Sequence, residues 1–144
     1  MGAIKRSMDI IITQWALDSY LDLKHSGAFS ATDYRATIRP DVLLLKVYPN
    51  HPKFSNGKFW SIATLNKNLL SDGFKMKWHN LGERRIQLRL LVGLGFKGQL
   101  TGISCLIQAY VKTGPKAEQR EILKLQTRLE MIRQGRYIER GRLT

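Results

Sequence analysis

Phe74-Lys75-Met76-Lys77-Trp78-His79, the turn-like Asn80-Leu81-Gly82-Glu83, and Arg84-Arg85-Ile86-Gln87-Leu88-Arg89-Leu90 form the stretch on which the fold turns. Apolar and polar residues alternate with a period of two on both sides of the turn, and this predicts a pair of antiparallel strands. The same alternation sorts the side chains. Lys75, Lys77 and His79 share one face with Arg85, Gln87 and Arg89, while Phe74, Met76, Trp78, Ile86, Leu88 and Leu90 take the other. One face of the pair is therefore cationic and the other is core. Basic residues on the wet face of an antiparallel sheet are ordinary. A row of cations with almost no acid between them nonetheless repels itself unless a polyanion neutralises it.

Toward the C-terminus, glycines at 93, 95, 98 and 102 mark a loop or distorted hairpin, and Ile103 to Val111 reads as a further strand. Gly114-Pro115 opens a helix with proline at its favoured first position. Ile122, Leu125, Leu129 and Ile132 fall on one helical stripe that suits packing on the sheet, and Gly135 ends it. The arginine-rich tail 136–144 is expected to be mobile or ordered by a partner. Toward the N-terminus, Asp9 to Thr13 is short and β-branched and reads as an opening strand, after which Thr13 caps a helix from Gln14 to Lys24 that Gly27 stops. A second helical region starts near Ser30 or Thr32, breaks at Pro40 and resumes from Asp41 to Val47. These two regions resemble a helical hairpin. Residues 49–57 read as loop, and residues 58–72 carry no decisive pattern.

At 144 residues the length fits one domain, 1–144, with a single core. The charge is far from that of an ordinary metabolic enzyme: 24 Lys and Arg face 11 Asp and Glu, for a net +13. Residues 1–72 hold 9 basic and 6 acidic side chains, and residues 73–144 hold 15 and 5, so the excess lies in the second half. Such an excess attracts nucleic acid, an anionic surface or an acidic protein. The lone Cys105 sits in an apolar run, which rules out a disulfide framework or a cysteine-based metal site and points to a reducing cytoplasm. The basic start, Met1 to Arg6, is followed by an apolar run too short for a secretory leader, and no stretch approaches the length of a membrane span. A soluble, cytoplasmic chain with no membrane partner is expected.

The cationic face suits RNA chemistry that needs neither metal nor cofactor. Cleavage then requires a base for the ribose 2′-hydroxyl, an acid for the departing 5′ oxygen, and cations around the phosphorane. Lys75 and Lys77, beside Arg85 and Arg89, meet the condition for a lysine of depressed pKa. His79 is a further acid–base candidate, because imidazole is the side chain suited to proton transfer near neutral pH, although a histidine at a strand end also serves as a cap or stacking residue. Arg84, Arg85 and Arg89 are phosphate-binding candidates, because a guanidinium fork grips two oxygens. Trp78, Trp60 and Tyr110 are candidates for stacking on bases, with core packing the competing role for Trp78.

The run Ile86-Gln87-Leu88-Arg89-Leu90, then Leu106-Ile107-Gln108-Ala109-Tyr110-Val111-Lys112-Thr113, then the helix opening Ala117-Glu118-Gln119-Arg120-Glu121-Ile122-Leu123, resembles the C-terminal half of HigB-like, phage-derived toxins of the RelE/ParE superfamily. The motifs cover residues 75–133, and residues 9–48 agree in pattern alone. The resemblance implies an α+β fold in which a curved antiparallel sheet is braced by an N-terminal helical hairpin and a C-terminal helix. It implies a toxin that enters the bacterial ribosome and cuts mRNA, held in check by a cognate antitoxin. Arg89 would match the arginine of one family strand, Tyr110 the aromatic of the next and Lys112 the lysine after it. The interval before Leu106 lacks one family strand, so Lys97 or Arg85 would supply its arginine. Two other readings stay open: a ParE-like inhibitor of DNA gyrase, and a basic RNA- or DNA-binding protein without catalysis.

Overall fold

A computed structural model describes residues 7–144; the basic start of the chain lies outside the described residues. The opening strand, β1 (Asp9–Thr13), leads directly into α1 (Gln14–His25). Thr13 makes the junction: its hydroxyl accepts from the Ala16 amide and donates to the Leu106 carbonyl, so one side chain caps the helix and ties it to the sheet. Gly27, with φ of +72°, ends α1.

The second helical region starts at Ser30, which forms a capping box with Asp33. It runs as α2 (Ala31–Asp33), a π turn (Tyr34–Ile38), α3 (Arg39–Leu43) and a 3-10 turn (Leu44–Val47). The break expected at Pro40 does not occur. Proline lacks the amide for an i−4 bond and its ring crowds the carbonyl one turn back, and here the preceding turn widens so that the chain passes through still helical.

Another 3-10 turn (Pro52–Ser55) precedes the strands β2 (Trp60–Leu65), β3 (Asn68–Leu81), β4 (Ile86–Gly93) and β5 (Ile103–Val111). Residues 58–72 thus supply β2 and the first third of a long β3. Next comes α4 (Pro115–Arg133), and then β6 (Glu139–Leu143). The fold is α+β, an open six-stranded sheet in the order β2-β3-β4-β5-β1-β6. The sheet is mixed rather than wholly antiparallel, because β1 runs parallel to β5, reached only after the helices and the meander have intervened. The tail is likewise corrected. Residues 139–143 are ordered as a strand antiparallel to β1, with Arg142 paired to Asp9 and Glu139.

The two sheet faces carry separate cores. Ile10, Met76, Trp78, Leu88 and Leu90 pack beneath α1 and the Ala31–Val47 run. Ile11, Leu91, Cys105 and Ile107 pack beneath α4, which presents the expected stripe of Ile122, Leu125, Leu129 and Ile132. Gly73 and Gly93 lie opposite each other in β3 and β4, and a methyl group on Gly93 would fall 2.9 Å from Phe96 and 3.0 Å from Leu129. The helix seats on this bare backbone, so Gly93 belongs to the packing rather than to the loop that follows.

Candidate nucleic-acid interface

Lys77, Arg89 and Tyr110 are directly opposite one another across β3, β4 and β5, and therefore share the face that α4 covers. Lys75 stands one pleat along, level with Leu91 and Gln108. The C-terminal half of α4 closes its end of the face with leucines. Its N-terminal half instead sends Glu118 down among the polar groups. Glu118 Oε1 receives Lys75 Nζ at 3.1 Å and Oε2 receives the Tyr110 hydroxyl at 2.8 Å. Lys112, at the end of β5, is exposed beside this group.

Burial pushes the Glu118 carboxyl up, but hydrogen bonds from Tyr110 and Lys75, with the charges of Lys75 and Lys112, outweigh it and leave the group below its ordinary value. Tyr110 moves upward through burial and through its bond to Glu118, so its hydroxyl keeps its proton. Lys77 moves downward, first through burial and then through the like charges of Lys75 and Arg89. Its ammonium donates to the Gly57 carbonyl at 2.6 Å.

Arg89 is the anomaly of the face. It is 4% exposed, and its Nη1 donates to the carbonyls of Trp78 and Leu88. Its Nε has no hydrogen-bond partner, the single such buried side-chain atom among the described residues. It makes no ion pair with any described carboxylate. A guanidinium held this way has no carboxylate within ion-pair distance and feels the charge of Glu118 only from farther off, so an added anion beside it is favoured.

The remaining candidates are dispersed. β4 begins at Ile86, so Arg84 and Arg85 lie in the turn and not on the strand. Arg84 donates to the carbonyls of Ser26 and Gly27, capping the C-terminus of α1 on the other side of the sheet. Arg85 is exposed with φ of +50°. Lys97 lies in the β4–β5 connection, at the opposite end of those strands from Arg89. Trp78 is a core residue: its ring is buried and its Nε1 donates to Asp41. Trp60 is also buried, stacked on Phe74. Neither indole is available to a base. His79 is exposed, with Nε2 2.6 Å from the Lys58 carbonyl.

Glu118 is the group that strand alternation misses. It lies on a helix, and only the docking of α4 brings it to Lys75 and Tyr110. Among the described residues no cluster of His, Cys, Asp and Glu has the makings of a metal site, and no helix is long and apolar enough to cross a membrane. The arrangement is a basic, internally braced polar cluster beside a helix N-terminus that lacks a side-chain cap. No family model, curated protein or solved structure matches the chain.

Proposed function

We propose that this face binds RNA and cleaves it without a metal, and that the chain is a RelE/HigB-like toxin whose target is mRNA on the ribosome. The observation that carries the reading is Arg89, a buried cation with no carboxylate at ion-pair distance and an unbonded Nε, set between Lys77 and Tyr110 with Lys75 and Lys112 nearby. The order of elements up to α4 also supports it: a strand, a helical pair, an antiparallel meander and a helix, to which this chain adds the strand β6.

In the proposed step Lys77, whose pKa burial and the charges of Lys75 and Arg89 lower, takes the proton from the ribose 2′-hydroxyl. The 2′ oxygen attacks phosphorus and the bond to the 5′ oxygen breaks. Lys75, ion-paired with Glu118, returns a proton to the departing oxygen. Arg89 lies below the surface and acts through its charge on the phosphorane, where little water screens it. Glu118 positions Lys75 and Tyr110. The products are a 2′,3′-cyclic phosphate and a 5′-hydroxyl end. An acidic antitoxin covering Lys77 and Lys112 would shut the site.

Purified protein incubated with RNA in chelator, with and without ribosomes, tests the reading directly. Cyclic-phosphate ends are expected, with Lys77→Met slower by about 100-fold or more, together with new transcript ends in translated frames when the chain is expressed in cells. Intact RNA in both settings overturns cleavage. RNA retained on the protein with affinity falling steeply as salt rises, but never cut, would instead make the face a binding surface alone.

A further inference from the structure

On the other side of the sheet, between α1 and the Ala31–Val47 helical run, lies a cavity of about 190 Å³. Its walls are almost wholly apolar, with Leu17 on the α1 side and Leu88, Leu90, Leu106 and Ala109 on the sheet side. Protein interiors ordinarily leave few voids larger than a water molecule. Water placed here would find few hydrogen-bond partners, and apolar cavities of this kind stay dry or take up apolar molecules.

The rim is different. Tyr34 and Arg39 bound the π turn, whose i→i−5 bond from the Arg39 amide to the Tyr34 carbonyl places the two residues together at the cavity. The guanidinium lies beside the Tyr34 hydroxyl. Arg39 Nη2 donates to a main-chain oxygen of Thr144 at 2.8 Å, and among the described residues no Asp or Glu side chain forms an ion pair with it. A single π turn inside a helical run frequently marks a functional site. Here it sets a guanidinium without an Asp or Glu side-chain partner at the edge of an apolar space.

We propose that this cavity binds a small apolar carboxylic acid, with its ring or branched hydrocarbon body between α1 and the sheet and its carboxylate on Arg39 and the Tyr34 hydroxyl. The charge fits, since a guanidinium fork matches a carboxylate. The size fits too, since an apolar cavity of about 150 Å³ accommodates benzene. The inference does not depend on RNA cleavage, which concerns the opposite face.

Benzoate and its neutral counterpart benzyl alcohol, titrated separately into the full chain and followed by amide NMR shifts and melting temperature, test it. Both should perturb Leu90 and Ala109, and benzoate should bind more tightly. Arg39→Gln should weaken benzoate by about tenfold, or 1.4 kcal/mol, and leave benzyl alcohol unchanged. Ala109→Leu should fill the space and abolish both, and if that variant does not fold, Leu17→Phe fills it from the helix side. Absence of any shift with either probe at millimolar concentration, or binding that survives a folded, filled cavity, overturns the site. Equal benzoate affinity in Arg39→Gln overturns the assignment of the carboxylate.

Discussion

The face of the sheet beneath α4 and the face beneath α1 are built from the same strands, yet they are closed in opposite ways. Under α4, a pair of glycines lets the helix approach until leucines touch backbone, and the far end is finished with ionic groups that meet in a buried cluster. Under α1, apolar side chains line both walls but leave a cavity between them. Close packing against small residues fixes α4 firmly enough for Glu118 to be held between Lys75 and Tyr110. Under α1, Ser19 Oγ accepts from the Ala109 amide and holds the helix to β5, and the space opens between α1 and the Ala31–Val47 run. Both faces hold polar contacts, Glu118 with Lys75 and Tyr110 on one and Asp41 with Trp78 on the other, and the cavity lies on the second.

The largest effect expected from breaking this contrast comes from Leu125→Ala, at a fully buried position under α4, which should cost about 2–5 kcal/mol by denaturant unfolding. A melting curve like that of the parent would mean that the helix is not tightly seated. Gly93→Ala tests the same contact from the strand side. The added methyl meets Phe96 and Leu129 and should cost about 1–3 kcal/mol, whereas Ala109→Leu, which adds more atoms on the roomier face, should be tolerated better.

Arg89→Met separates stability from function. Removing a buried charge that has no contact ion pair should leave the protein as stable or more stable, by about 1 kcal/mol, while RNA binding falls sharply. A strongly destabilised variant would show that the two carbonyl bonds of Arg89 outweigh its charge.

A smaller effect is expected at Glu118. Its folded pKa is depressed, so its contribution is complete above the ordinary carboxylate value of about 4.3 and is lost as pH falls through the folded value. Melting temperatures of Glu118→Gln and the parent should therefore differ at neutral pH and converge in acid. A difference that persists unchanged below pH 3 would remove the carboxylate from that account. The smallest effect belongs to Arg142→Ala, whose partners Asp9 and Glu139 are exposed, and it should leave the melting temperature nearly unchanged.

Period and punctuation alone were enough to read the β3–β4 alternation, β1 with its Thr13 cap, the α4 stripe and the shared face of Lys75, Lys77 and Arg89. These features are legible because each depends on neighbours within a few residues, where side-chain direction follows directly from backbone repeat. Features set by contacts distant in sequence were not legible. The pairing of β6 with β1 joins residues about 130 apart, the π turn absorbs Pro40 within a packed layer, and Glu118 meets Lys75 only after α4 has docked. Arg84 and Arg85 illustrate the boundary: alternation continued through them, but the turn claimed both, and a shift of two residues at a strand end decides which groups reach a common surface. The sequence by itself determined β1, α1, the β3–β4 pair, β5 and α4, and that the sheet would carry cations on one side, but neither β2 nor β6. Only the tertiary structure decided which of those cations are neutralised, which is left without a partner and where the empty space lies, because these depend on packing between segments that local pattern does not relate.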